Sequence, residues 1–243
     1  MTIFHFIYVI TAIFSVYIQT KSYAYSDRPE KAEEYAGLLK IRRVMSPLIA
    51  GMAAVFVALG AFVFGSPPRF LGILFTVVWA LASLGDIFIE GSYSIEDEAI
   101  KGRYYIIGMA LFILFTLGLG VGLSIYAVGQ SGATYLHLGI SLVISILLGV
   151  AAYRTLEVTA ETRAIMLVYV VSVVTLLCGG ILSAVSGNLP LAYIGIGYFF
   201  SDWFVGLRDF GKNVPKFLQS HVLVVILMLY YTIMLTSIDL MFR

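Results

Sequence analysis

The sequence predicts an all-α integral membrane protein, a polytopic bundle of about eight transmembrane helices in one domain covering residues 1–243. The chain is 60% hydrophobic and only 12% charged, whereas about a quarter of the residues of a soluble domain are charged. Backbone polar groups inside a bilayer have to be hydrogen-bonded within their own segment, so long apolar runs are expected to be helices. No stretch of the chain is polar enough and long enough to predict a soluble domain.

Eight apolar runs have lengths close to the roughly 20 residues that cross the hydrocarbon core of a bilayer. The predicted spans are Thr2–Ile18, Val44–Phe64, Phe70–Ile89, Tyr104–Val128, Ala133–Tyr153, Ala164–Val185, Leu189–Leu207 and Leu218–Leu240. The first run has no Lys or Arg over residues 2–6, which favours an uncleaved helix over a signal peptide.

The connections between the spans are short, except for the polar stretch of mixed charge at residues 19–43. Within that stretch, Pro29–Leu39 is equally compatible with a surface helix and with a solvated loop. Ser66-Pro67-Pro68 and Ser186-Gly187-Asn188 predict tight turns.

Lys and Arg are distributed asymmetrically among the connections. All but two of the 15 fall in the first, third, fifth and seventh connections, and the exceptions are Arg69 and Arg243. Because cytoplasmic loops carry the excess of basic residues, the four basic connections, including residues 19–43, are predicted to be cytoplasmic. Both termini are then predicted to lie on the non-cytoplasmic side.

Ionisable side chains inside the spans are few, and each is a candidate for function because it is costly to place there. Asp86 and Asp202 are each expected about 5–8 Å inside the cytoplasmic end of their helix, from the rise of about 1.5 Å per residue. At matched depth they are expected to meet in one cavity, where two carboxylates do not both ionise easily and one acid and one base result. Alternatively, each merely hydrogen-bonds a neighbouring helix or reaches the interface.

Four further side chains are candidate substrate contacts. Glu90 lies four residues after Asp86, on the same helical face but nearer water, and is expected at the vestibule. Ser201 is expected to hydrogen-bond Asp202 or the substrate. Arg208 either neutralises Asp202 or anchors the helix at the cytoplasmic interface. Tyr231 belongs either to an interfacial aromatic belt or to the lining of a lipid-sized cavity.

Several other classes of function are disfavoured. The net charge of +1 and the lack of a basic run indicate no nucleic-acid partner. His5, His137 and His221 fall in separate spans, whereas a zinc site needs three or four converging ligands, so no metal or cofactor is expected. The single Cys178 lies in an apolar run. The glycines of Gly118–Gly122 lie in the middle of a span, where small residues favour close helix packing rather than phosphate binding.

Two short motifs resemble those of the YhhN family of membrane proteins, which includes the lysoplasmalogenases. Gly85-Asp86 matches the Gly-Asp motif at the end of one helix. Ser201-Asp202, followed by apolar residues and by Phe210 eight positions later, matches the Ser-Asp motif of a later helix. Pro47 at the entry of the second helix is similar to the Lys-Pro of the family, with Ser46 in place of the lysine.

Chain length and helix number also agree with that family, so the resemblance covers most of the chain. Two family features are missing. The histidine often found after the Gly-Asp motif has no counterpart in Gly108–Phe115, and no Ala-Gln follows Tyr230-Tyr231.

The resemblance implies hydrolysis of the vinyl-ether bond of a lysoplasmalogen-type lysolipid, which releases an aldehyde and a glycerophospho-alcohol. Asp86 and Asp202 would be the acid-base pair, and the lysolipid would enter from the lipids of a membrane, expected to be a bacterial cytoplasmic membrane. Two other classes stay open, a small proton-coupled transporter and a lipid-binding membrane protein without catalysis, because intramembrane carboxylates also serve transport.

Overall fold

The computed structural model describes residues 2–26, 28–65, 68–130, 133–157, 163–211 and 216–243, and these are helical almost throughout. Eight α-helices follow one another: α1 Ile3–Tyr25, α2 Ala32–Ala58, α3 Arg69–Ser92, α4 Glu98–Gln130, α5 Tyr135–Arg154, α6 Arg163–Val185, α7 Leu189–Phe210 and α8 Lys216–Met241. No β-strand occurs in these ranges, only an isolated bridge between Leu156 and Gly211. The predicted all-α fold class is therefore confirmed.

Seven of the helices in the described ranges are long and apolar enough to cross a bilayer. The other one, α7, has 22 residues and is long enough to cross a bilayer, but its most apolar stretch is less apolar than those of the other seven. It contains tyrosines, glycines and the Ser201-Asp202 pair among its apolar residues. The predicted multi-pass membrane protein is thus confirmed, while the orientation of the termini and the kind of membrane stay predictions.

Three helices extend well beyond the predicted spans, and one of them is α4, which begins at Glu98 instead of Tyr104. α1 continues past Ile18 to Tyr25, and α2 begins at Ala32, directly after a 3₁₀ turn at Pro29–Lys31. Most of the connection at residues 19–43 is therefore helical, and Pro29–Leu39 forms the 3₁₀ turn and the first turns of α2 instead of a loop. Hydropathy marks only the part of a helix that suits hydrocarbon, whereas helix-favouring Ala, Glu, Lys and Leu continue the helix beyond it.

Two smaller expectations about local structure have different outcomes. Pro47 lies inside α2 rather than at its entry, because the helix starts earlier than its apolar part. The turn predicted at Ser186-Gly187-Asn188 is confirmed: Gly187 has a φ of 78°, and the Asn188 side chain accepts a hydrogen bond from Leu191 N at 3.3 Å at the start of α7. In the other predicted turn, residues 66 and 67 lie outside the described ranges.

The chain divides into two compact units. Unit 1 contains Met1–Phe115 and Ser237–Arg243, and unit 2 contains Thr116–Thr236. In unit 1, α2 packs against both α1 and α3. The centre of this packing is apolar and includes fully buried Phe75 and Trp79, with the Trp79 and Phe115 rings 5.2 Å apart.

In unit 2, α6 packs against both α5 and α7. Half of the residues in the most apolar stretch of α6 are buried, against 17% of those in the most apolar stretch of α5. Within this unit, α6 is therefore the central helix, and α5 exposes most of its apolar surface. The buried face of α5 consists of Ser141, Ser145 and Gly149, small residues that allow close helix approach.

Close packing is also confirmed for the glycine-rich stretch of α4. A Cβ atom on Gly120 would lie 2.5 Å from the backbone N of Leu176 in α6. Real Cβ atoms do not approach other atoms so closely, so the contact between α4 and α6 requires glycine at this position.

Candidate functional site

Polar side chains of α2 and α3 face one another in register within unit 1. Arg42 pairs with Glu90, Ser46 with Asp86 and Ser83 with Pro47, so the two helices run antiparallel. Residues four apart share a helical face, which lines up the successive pairs along the contact. Together, six residues form a polar seam between the two helices: Arg42, Ser46, Pro47, Ser83, Asp86 and Glu90.

The innermost pair of the polar seam depends on a proline and a glycine. The Ser83 hydroxyl donates a hydrogen bond to the carbonyl of Pro47 at 2.7 Å. One turn further along α2, a Cβ atom on Gly51 would lie 3.2 Å from Ser83 Oγ. The absence of a side chain at Gly51 therefore leaves room for the hydroxyl to reach the backbone of α2.

Asp86 follows on α3, nearer the end of that helix. The residue is half-buried, but its Oδ2 atom is completely shielded and has no hydrogen-bond partner among the described residues. The carboxyl accepts a hydrogen bond from the Ser46 side chain. One carboxyl oxygen is thus buried without a hydrogen-bond partner among the described residues.

The glycine of the Gly85-Asp86 motif has a packing role. A Cβ atom on Gly85 would lie 2.8 Å from the Phe112 ring of α4, and one on Gly108 would lie 3.0 Å from the Gly85 carbonyl oxygen. Gly85 and Gly108 thus let α3 and α4 approach each other directly behind Asp86. This contact fixes the helix that carries the carboxyl.

Glu90 forms an ion pair at the outer end of the polar seam. Arg42 Nε donates to both carboxylate oxygens of Glu90 at 3.1 Å. The Arg42 guanidinium also lies over the Tyr93 ring, 5.3 Å from its centroid. Glu90 is only 8% exposed and Tyr93 is 54% exposed, so the seam leads from a shielded carboxyl oxygen to an open helix end.

Asp202 of α7 has a related environment inside unit 2. The residue is half-buried, and its Oδ2 atom is shielded without a hydrogen-bond partner among the described residues. The Tyr169 side chain of α6 hydrogen-bonds the carboxyl. The adjacent Ser201 is buried and donates a long hydrogen bond of 3.5 Å to the Ile226 carbonyl of α8.

A glycine contact between α6 and α7 brings Tyr169 within reach of Asp202. A Cβ atom on Gly195 would lie 2.6 Å from Gly180 Cα, and one on Gly180 would lie 2.7 Å from Ile196 N. The two backbones therefore touch, which small residues permit between membrane helices.

Aromatic residues precede and follow Asp202 in the sequence of α7. The Trp203 and Phe204 rings stack at 5.9 Å, and Phe200 lies 6.1 Å from Trp203. The indole N–H of Trp203 donates to Thr155 Oγ1 at 3.2 Å, which satisfies its one polar group. The described ion pairs include none with Asp202, in contrast to the charged end of the polar seam.

The other predicted site residues lie on the helices already described. Arg208 belongs to the last turn of α7, and Tyr231 of α8 is buried with its ring 5.9 Å from that of Tyr230. Asp86 belongs to unit 1 and Asp202 to unit 2. The prediction that the two carboxyls meet in one cavity stays a prediction.

The histidines of α1 and α5 have a local role. The backbone N–H groups of Thr2 and Thr134 donate to Nδ1 of His5 and His137, respectively, at 3.1 Å, which stabilises the two helix starts. The side chain of His221 lies outside the described part. Within the described part, no three His, Cys, Asp or Glu side chains cluster as metal ligands would.

Three residues beside the carboxyls were not predicted from the sequence. In the sequence, Arg42 is one basic residue of a connection, Ser46 is a departure from Lys-Pro, and Tyr169 belongs to no motif. The four-residue spacing of Arg42 and Ser46 matches that of Asp86 and Glu90. Because α2 begins at Ala32, Arg42 and Ser46 lie on one face of the same helix, and the matching spacing indicates that the two pairs can face each other. Nothing in the sequence pairs Tyr169 with Asp202.

The fold and these two carboxyls define a class, the polytopic helical membrane proteins with carboxyl groups inside the bundle. No protein-family model, no curated protein and no solved structure matches the chain.

Proposed function

We propose that the chain is a membrane-embedded hydrolase that cleaves the vinyl-ether bond of a lysolipid. The observation that carries the proposal is the pair of shielded carboxyl oxygens, Asp86 Oδ2 and Asp202 Oδ2, that have no hydrogen-bond partner among the described residues. A shielded polar group without a partner is costly, and ionisable groups within membrane helices commonly mark functional sites.

Vinyl-ether hydrolysis requires chemistry that carboxyl groups supply. A carboxylic acid donates its proton to the outer carbon of the double bond, which leaves a positive charge shared by the inner carbon and the ether oxygen. A carboxylate stabilises that charge and takes a proton from the water molecule that attacks the inner carbon. The resulting hemiacetal breaks its carbon–oxygen bond, giving the aldehyde and the glycerol hydroxyl.

The proposal assigns these two roles to Asp86 and Asp202 without deciding between them. Each carboxyl accepts a hydrogen bond from one hydroxyl, of Ser46 or Tyr169, which orients the carboxyl and leaves the other oxygen for chemistry. The apolar exposed surfaces of the helices suit a substrate that arrives through the bilayer with its tail in the lipid.

The test is aldehyde release from a lysoplasmenyl lipid by the purified protein in detergent. We expect release by the wild-type protein and a loss of about 10²-fold or more in kcat for Asp86→Asn and for Asp202→Asn. Asp239→Asn is the matched control, because Asp239 is an aspartate of α8 that pairs with Arg243. A folded wild-type protein that releases no aldehyde from choline or ethanolamine lysolipids contradicts the proposal and favours transport.

A further inference from the structure

The guanidinium of Arg42 is hydrogen-bonded through Nε, while its terminal amino groups have no hydrogen-bond partner among the described residues. Its Nε group donates to both oxygens of Glu90 at 3.1 Å, while its plane lies 5.3 Å over the Tyr93 ring. Arginine has five N–H donors in a planar fork, and only the Nε donor has a hydrogen-bond partner among the described residues. Two terminal amino groups of fixed orientation remain.

The surroundings of these amino groups carry excess positive charge. The Arg42 side chain is 23% exposed, so a ligand can reach it. Arg43 follows it on α2, and the buried Arg43 Nε has no hydrogen-bond partner in the described ranges. Glu90 pairs with Arg42, and Arg43 adds a cation without an ion pair among the described residues, so an anion is favoured at this end of the polar seam.

The chemistry of the fork selects the anion. A guanidinium with two free parallel N–H groups matches the oxygen spacing of a phosphate group and binds it bidentately. Tyr93 keeps the guanidinium plane in place by stacking, and Glu90 prevents its rotation. Arg42 is therefore arranged as a phosphate-binding group and differs from an arginine that merely anchors a helix at the lipid interface.

The position of Arg42 relative to Asp86 fits a phospholipid. Glu90, and Arg42 with it, lies one helical turn beyond Asp86, a distance of about 5–6 Å along α3. A glycerol unit between a phosphate and an ether oxygen has a similar length. A lysolipid phosphate on Arg42 thus brings its ether bond to the level of Asp86.

We propose that the terminal amino groups of Arg42, oriented by Glu90 and Tyr93, bind the phosphate group of the substrate. This inference rests on the proposed function for the identity of the substrate, but phosphate binding itself does not require turnover. The phosphate is carried either by a lysolipid or by a water-soluble phosphomonoester.

The first experiment compares two cleavable substrates, an alkenyl lysophospholipid and the alkenyl glycerol that lacks its phosphate. We expect the wild-type protein to prefer the phospholipid in kcat/KM, and Arg42→Gln/Glu90→Gln to reduce that preference about tenfold or more. The double variant leaves no uncompensated charge at the helix contact. Lys40→Gln, which removes one exposed cation of the same helix, keeps the preference.

The second experiment measures binding of a saturated-ether lysophospholipid, which cannot be cleaved, and of its alkylglycerol to the same proteins in detergent. Tighter binding of the phospholipid by the wild-type protein and by Lys40→Gln, but not by the double variant, supports the phosphate site even if no lipid is hydrolysed. Equal binding of the two lipids by the wild-type protein overturns it.

Competition separates the two sources of phosphate. If glycerol 3-phosphate displaces the lysophospholipid from the wild-type protein but not from the double variant, the site takes water-soluble phosphates. If glycerol 3-phosphate does not displace the lysophospholipid, and the wild-type protein still binds the phospholipid more tightly than the alkylglycerol, the ligand is a lipid headgroup. Both results support phosphate recognition by Arg42. If glycerol 3-phosphate displaces the lysophospholipid equally well from the wild-type protein and from the double variant, phosphate recognition by Arg42 is overturned.

Discussion

Asp86 of unit 1 and Asp202 of unit 2 have the same local arrangement in different electrostatic surroundings. Each lies in the last turns of its helix, accepts a hydrogen bond from one hydroxyl of the neighbouring helix, and keeps a shielded Oδ2 atom without a described partner. Asp86 stands one turn from the Arg42–Glu90 ion pair. Asp202 is followed on α7 by Trp203 and Phe204, whose rings stack on each other. Both carboxyls therefore have a hydroxyl partner, whereas among the described residues an ion pair lies near Asp86 and not near Asp202.

The two units also differ in how glycine brings the helices together. At Gly85, an added Cβ atom would meet the Phe112 ring, the movable part of a side chain. At Gly180 and Gly195, it would meet backbone atoms of the facing helix, which cannot move without separating the helices. A Cβ atom is therefore easier to accommodate at Gly85 than at Gly180 or Gly195.

The largest effect is expected at the two carboxyls, whether one or both are removed. Asp86→Asn/Asp202→Asn should lower kcat by about the same 10²-fold or more as either single variant, because groups that act in one step are not additive. Aldehyde release by the two single variants and the double variant gives the answer. If the two losses multiply, the carboxyls act independently and the shared mechanism is wrong.

The next largest effect is expected at the ion pair of unit 1. Arg42→Met should reduce the free energy of unfolding by about 3 kcal/mol, because the largely buried Glu90 is left without a partner. Arg42→Met/Glu90→Leu should recover most of that loss. Denaturation in mixed micelles measures both variants.

The matched control for the ion pair is Lys31→Met, which breaks the exposed pair with Glu34. Little change is expected there, because exposed ion pairs contribute little to stability. A loss as large as that of Arg42→Met would mean that loss of a positive charge at or near α2, rather than burial of the pair, decides the effect.

Glycine substitutions sharpen the packing comparison. Gly195→Ala should lower the free energy of unfolding by about 2 kcal/mol through overpacking, and Gly85→Ala should lower it less because the Phe112 ring can move. Gly139→Ala in α5, where an added Cβ atom would meet nothing within 4 Å, should be neutral or slightly stabilising. Thermal unfolding in detergent ranks the three, and a reversed order would refute the difference between Gly85 and Gly195.

The smallest effect is expected when one hydroxyl is removed from each carboxyl. Ser46→Ala and Tyr169→Phe should each lower the free energy of unfolding by about 1 kcal/mol, the typical value for one hydrogen bond. Similar losses in the same unfolding assay would support the view that the two carboxyls are held alike. A clear loss for only one variant would show that the other hydroxyl contributes nothing to holding its carboxyl.

Some helix boundaries were predictable and others were not, for a physical reason. The end of α6 at Val185 and the start of α7 at Leu189 agree with the prediction, because Ser186-Gly187-Asn188 combines a left-handed glycine with a helix cap. The start of α2 was placed twelve residues late, because hydropathy drops at the membrane surface while the helical hydrogen bonds continue through Ala32 and its neighbours.

The sequence by itself determined that this chain is a bundle of apolar membrane helices and that two aspartates lie near helix ends, because hydropathy and helical rise are properties of single segments. Only the tertiary structure decided which side chains accompany those aspartates. Ser46 and Tyr169 reach them across helix contacts set by glycine backbones, and Arg42 reaches Glu90 across 48 residues of sequence. Such partners depend on the register between helices, and register arises from packing, which a single segment does not encode.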